Sequence, residues 1–76
     1  MVTVYSTKSC VFCIKLKNWL KQKNIIFDEI IVGQDISAEK FQIITGFNGV
    51  PVTEINGIFF IGYAINAIAH ELKIEI

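Results

Sequence analysis

The chain has 76 residues, 53% of them hydrophobic, with seven basic and seven acidic residues and no net charge. A chain of this size buries only roughly 60% of its unfolded surface, so it makes one small domain whose high apolar content must close a single core. Two cysteines are too few for a disulfide-stapled secreted mini-domain. They fit a reducing, cytoplasmic setting and a chemical task. The absence of arginine, and of basic residues interleaved with stacking side chains, argues against nucleic acid as a partner. The longest uncharged run, from Ile55 to His70, is broken by Asn56, Gly57, Gly62 and Asn66. It falls short of the roughly 18–20 apolar residues a membrane span needs, so no membrane association is expected. Residues 1–9 lack the basic-then-apolar pattern of a leader.

Charge is unevenly placed. Lys8, Lys15, Lys17, Lys21 and Lys23 all precede the first acid, Asp28, and only Lys40 and Lys73 accompany the acids that follow. One face should be positive.

Val2–Ser6 is β-branched and half alternating, a short strand. From Val11 to Lys23 the period becomes helical, with Cys13, Leu16 and Leu20 on one side and Asn24 suited to the C-terminal cap. Trp19 on this helix is expected to pack. The strand hands over to the helix at Cys10-Val11-Phe12-Cys13, and that location gives the motif its meaning. A cysteine at a helix N-terminus faces unpaired backbone N–H groups and the positive end of the dipole, which favour the thiolate. Cys10 is the candidate nucleophile. Cys13, a turn further on and on the apolar side, is the candidate resolving thiol. Half of a zinc site, or two inert thiols, are the competing readings. The first has only the distant His70 to call on, against the four ligands a structural site requires, and no metal is expected.

Ile25–Val32 forms a second strand, and Gly33 ends it. Ser37 is an N-cap for a helix reaching Thr45, with Phe41 and Ile44 facing inward. Gly46–Pro51 is loop. Pro51, the only proline, stands immediately before a strand; it is either an ordinary strand starter or the second half of a cis peptide that turns the Val50 backbone outward. Val52–Ile55 and Ile58–Ile61 flank Asn56-Gly57, the preferred type I′ turn pair, and make a hairpin. Phe59 and Phe60 point to opposite sides of it, so one of the two is expected in the core. Gly62 breaks the strand, and Ala64–Leu72 is an amphipathic helix with Ile65, Ile68, Ala69 and Leu72 on one stripe. His70 there is expected at the surface. Tyr63 is a candidate wall of a substrate groove. The order β-α-β-α-β-β-α is an α/β arrangement: a mixed four-stranded sheet with helices on both faces, occupying residues 1–76 as one domain.

Tyr5-Ser6-Thr7-Lys8-Ser9-Cys10-Val11-Phe12-Cys13, then Gly49-Val50-Pro51-Val52, then Gly62-Tyr63, resemble the glutaredoxin family over nearly the whole chain. The resemblance implies a thioredoxin fold and a thiol–disulfide oxidoreductase. Cys10 would be the nucleophile, Cys13 the resolver, and cis-Pro51 would face them. It also implies that the Val50 backbone pairs with the substrate cysteine and that Lys8 helps bind a carboxylate or stabilise the thiolate. Phe12, Gly62 and Tyr63 would border the groove. Typical dithiol members carry Cys-Pro-Tyr-Cys and a Gly-Gly-x-Asp-Asp stretch; this chain has Val11-Phe12 and Gly62-Tyr63-Ala64-Ile65-Asn66, with no aspartate for the glutathione α-amino group. In its Cys-Val-x-Cys pair and in Gly46-Phe47 it is more similar to NrdH-type redoxins. That likeness implies a monomeric electron carrier with no bound cofactor that reduces protein disulfides. Its reductant would be thioredoxin reductase or glutathione, and ribonucleotide reductase would be among its acceptors. A glutathione-dependent glutaredoxin, acting on glutathione mixed disulfides or carrying a [2Fe–2S] cluster, is the alternative the family offers.

Overall fold

A computed structural model describes residues 1–76. Seven elements follow one another: β1 (Val2–Ser6), α1 (Val11–Gln22), β2 (Phe27–Ile31), α2 (Ala38–Thr45), β3 (Val52–Ile55), β4 (Ile58–Ile61) and α3 (Ile65–Leu72). The strands lie in the order β2-β1-β3-β4. β1 and β2 run parallel, Val2 opposite Phe27 and Ser6 opposite Ile31, so α1 is their crossover connection. β3 pairs antiparallel with β1 and with β4. Asn56 and Gly57 both have positive φ, 51° and 84°, as a type I′ turn requires, and the hairpin closes with Ile55 opposite Ile58. This is the mixed four-stranded sheet that the element order implied.

Strand alternation divides the sheet into two faces. Val2, Val4 and Ile55 point to one side, where Leu16, Trp19 and Leu20 of α1 and Ile68 and Ala69 of α3 cover them. Tyr5 and Val52 point to the other, covered by Phe41 of α2. The Tyr5 and Phe41 rings meet at 5.4 Å between centroids, tilted by 50°. Leu16 and Leu20 are wholly buried, and each contributes about 1.5–3 kcal/mol through the area it removes from water. No helix is long and apolar enough to cross a membrane.

Boundaries shift where backbone hydrogen bonds decide them. The second strand begins at Phe27, not Ile25, because the end of α1 consumes the residues between. Asn24, at φ 59°, donates its N–H to the Lys21 carbonyl and Ile25 donates to the Leu20 carbonyl. This pair of bonds is a Schellman cap, with Asn24 in the left-handed position. Ile26 is left exposed. At the far end, Val32 donates to the Ser6 carbonyl just past the ladder.

On α2, Phe41 is buried but Ile44 is 44% exposed, which corrects the expected inner face. Thr45 takes the inward place, donating its hydroxyl to the Phe41 carbonyl at 2.9 Å and accepting from the Phe47 N–H at 3.1 Å. Phe41 and Thr45, four residues apart, share the inward face of α2. Phe59 and Phe60 are both half-buried: Phe60 packs on the α1–α3 side and Phe59 on the α2 side. With both faces of the sheet covered, alternation gives each ring a core of its own.

Candidate active site

The C-terminal end of β1, the start of α1, the loop before β3 and the end of β4 converge at one edge of the molecule. Cys10 is the N-cap of α1, in extended backbone conformation, and its Sγ accepts a hydrogen bond from the Cys13 N–H at 3.1 Å. A serine or aspartate does this work at most helix starts; here sulfur takes one of the orphan N–H groups. Cys10 is half-buried, Cys13 fully buried, and both are free thiols. Burial, followed by the side-chain hydrogen bond with Cys10, pushes the Cys13 thiol up to about 11. The two sulfurs are therefore unequal. One is presented, and the other is held protonated behind it.

The Val50–Pro51 peptide is cis, and the Val50 carbonyl lies 3.9 Å from Cys10 Sγ. Pro51 is buried, and its carbonyl accepts from the Gly62 N–H at 2.9 Å. Gly62 sits at φ 79°, in the left-handed region that a side chain would resist, and this bend carries the chain from β4 to Tyr63. Tyr63 meets Phe12, their ring centroids 6.3 Å apart. Phe12 is 56% exposed, and Lys15 Nζ lies 5.4 Å from its ring centre. Cys10, Cys13, Val50, Pro51, Phe12, Gly62 and Tyr63 are thus brought together at one edge of the molecule. Lys8 is exposed and makes no ion pair.

Four polar residues were not singled out from the sequence. Thr7, Glu39, Gln42 and Asn48 line a groove of about 620 Å³ that also reaches Val50 and Phe41. Thr7 also supplies the carbonyl that accepts from the Cys10 N–H at 3.5 Å. It is Thr7, not its neighbour Lys8, that borders this groove. Behind the site, Ser6 donates its hydroxyl to Glu29 Oε2 at 2.7 Å, and Lys17 pairs with the same oxygen. Lys17 first and Ser6 second hold the Glu29 carboxyl below the usual carboxylate range. His70 is exposed on α3, and Trp19 packs into the core.

A mixed four-stranded sheet with a Cys-x-x-Cys pair at the first helix start defines a thioredoxin-superfamily protein. Residues 2–60 match the glutaredoxin family profile. The chain belongs to the glutaredoxin family. It is 38% identical over 64 residues to a glutaredoxin-like 8.6 kDa protein from a rubredoxin operon of Clostridium pasteurianum, covering 83% of this chain and 85% of that one. It is 35% identical over 69 residues to the glutaredoxin-like protein NrdH of Lactococcus lactis, covering 91% of this chain and 96% of that one. The solved structure of the NrdH-redoxin from Escherichia coli superposes with a TM-score of 0.79 at 23% identity over 91% of each chain, a likeness of fold.

Proposed function

We propose that this protein is a dithiol thiol–disulfide oxidoreductase that reduces protein disulfides, with Cys10 as nucleophile and Cys13 as resolving thiol. The observation that carries the reading is the inequality of the two sulfurs: Cys10 capping the helix, Cys13 buried with its thiol near 11. The Cys10 thiolate attacks one sulfur of a substrate disulfide. A Cys10–substrate disulfide forms, and the other substrate sulfur leaves as a thiolate. Cys13 then gives up its proton and attacks Cys10 Sγ. The intramolecular Cys10–Cys13 disulfide forms and the second substrate sulfur is released. Two electrons pass to the substrate, and the two departing thiolates take up protons from Cys13 and from water.

The Val50 backbone beside Cys10 is suited to pair with the substrate's own backbone, and Phe12 and Tyr63 give an apolar wall. A flavoenzyme of the thioredoxin reductase kind, rather than glutathione, returns the protein to the dithiol. Three features support this: the relationship to NrdH proteins, the thioredoxin-like activity profile described for the Escherichia coli NrdH-redoxin, and the residues after Gly62. Ala64 and Ile65 offer no charge to the ammonium end of glutathione, and Asn66 offers only a neutral amide. One lost charge-assisted hydrogen bond costs about 1.5–3 kcal/mol, roughly ten- to a hundredfold in affinity. Ribonucleotide reductase is the acceptor that the NrdH likeness implies. The experiment is a reductant panel on the oxidised protein: NADPH with thioredoxin reductase against NADPH with glutathione and its reductase. Faster recycling by the first supports the reading. Efficient recycling by millimolar glutathione alone overturns the choice of reductant.

A further inference from the structure

The uneven charge of the sequence becomes a polarity across the reacting sulfur. On one side of Cys10 stand the apolar residues Phe12 and Tyr63 with Lys15 above the Phe12 ring. On the other lies the groove between α2 and the loop before Pro51, and among its lining residues Glu39 is the only one that carries charge. The neutral polar groups there, Thr7, Gln42 and Asn48, can donate and accept hydrogen bonds, and Phe41 and Val50 give it an apolar floor. Glu39 is uncommitted: the molecule's one ion pair joins Lys17 to Glu29 on the other side of the sheet. Val50 lines this groove and its carbonyl approaches Cys10 Sγ at 3.9 Å, so a chain held at Cys10 enters the groove directly.

We propose that this groove is a subsite for the polypeptide flank of the substrate cysteine, and that Glu39 makes it select a basic side chain over an acidic one. The proposal rests on the disulfide-reductase reading above and names its substrate class. The groove is wide enough for one or two side chains and the backbone between them, within the ordinary range of pocket volumes, about 300–1,000 Å³. Its polar lining satisfies peptide groups. Its single negative charge rewards Lys or Arg in a substrate and repels Asp, Glu or a terminal carboxylate. The same repulsion disfavours any small thiol that places a carboxylate there. Glu39 in the first turn of α2 also complements the helix dipole, so the test must read selectivity rather than stability.

The substrates are disulfide-linked homodimers of one short peptide that carries Lys, Gln or Glu on one flank or the other of its cysteine. Each is mixed with the pre-reduced protein, and the rate at which protein thiols disappear is followed. The reaction balances without a further reductant: one protein dithiol and one peptide disulfide give one protein disulfide and two peptide thiols. The wild type should oxidise roughly two- to fivefold faster with the Lys peptide than with the Glu peptide, as expected for one partly exposed charge pair. The preference should fade in concentrated salt. Glu39→Gln should bring the Lys-to-Glu ratio close to one and Glu39→Lys should invert it. Each ratio is taken within one variant, so that a general change in rate cancels, and far-UV circular dichroism checks that both variants are folded. Glu75→Lys, an equal charge reversal at an exposed position outside the groove, should leave the ratio alone. A ratio unmoved in Glu39→Lys, or moved equally by Glu75→Lys, overturns the subsite while leaving the reductase reading intact. No reaction of the wild type with any peptide overturns the reading itself.

Discussion

The inequality of the two cysteines is open to direct measurement by alkylation. The perturbation is to isolate each thiol, Cys10 in Cys13→Ser and Cys13 in Cys10→Ser, and expose each protein to iodoacetamide. Only the thiolate reacts, so the ionised fraction sets the rate. A thiol near 11, where burial places Cys13, is ionised in about 1 molecule in 3,000 at pH 7.5, against roughly 1 in 10 for a free cysteine near 8.5. Ionisation alone therefore slows Cys13 on the order of 100-fold or more. Its lack of any exposed surface slows it further, because the reagent must wait for the helix start to open. Removing the Cys10 sulfur relieves part of this, but desolvation is the larger cause and remains. Mass spectrometry of the labelled peptides over time gives both rates. Cys10, the more exposed of the two thiols, should label the faster. Cys13 should be at least about 30-fold slower at pH 7.5 and accelerate as pH rises toward 11. Labelling of Cys13 within about threefold of a free cysteine at pH 7.5 would refute the argument.

Three further outcomes follow from the same structure. Because the folded Cys13 thiol is raised above its unfolded value, the folded state binds more protons in that window. Its contribution is complete below about pH 8.5 and is lost as pH climbs toward 11, a change of about 3 kcal/mol in urea unfolding of the reduced protein that Cys13→Ser should lack. The Glu29 carboxyl is lowered by Lys17 and Ser6, so its contribution is present at neutral pH and is lost as pH falls through its folded value. Glu29→Gln should flatten the acid limb of the stability profile by less than about 1 kcal/mol, because the Lys17 pair is partly exposed; a steeper limb in the variant would contradict the assignment. Thr53 is fully buried in β3 and its hydroxyl has no partner. Thr53→Val should therefore stabilise the protein by about 1 kcal/mol, a rise of roughly 4–8 °C in Tm by calorimetry, and a fall would mean that the hydroxyl is satisfied.

Much of the fold was legible because each element carries a strong local signal. The β-branched run at Val2–Ser6, the Cys13-Leu16-Leu20 stripe, Ser37 as a cap and Asn56-Gly57 as a turn each specify a conformation without tertiary help. The errors came where tertiary context decides. Ile25 looks like strand because it is β-branched, yet its N–H closes the end of α1. Ile44 looks like core, yet the hydroxyl of Thr45 bonds backwards and takes the inward place. The site divided in the same way. Cys10 and Cys13 were legible because their chemistry depends on a local event, a strand becoming a helix. The groove was not, since Thr7, Glu39, Gln42 and Asn48 come from three segments that only the sheet order brings together. The family resemblance pointed to Lys8, while its uncharged neighbour Thr7 borders the groove.

The central claim, that Cys10 attacks and Cys13 resolves, is tested most directly by trapping. Cys13→Ser, reduced and mixed with a protein disulfide such as insulin, should accumulate a one-to-one mixed disulfide through Cys10 on a non-reducing gel. The wild type should turn over without accumulating it, and Cys10→Ser should do neither. Turnover that survives in Cys10→Ser, or an adduct held through Cys13, would contradict the account.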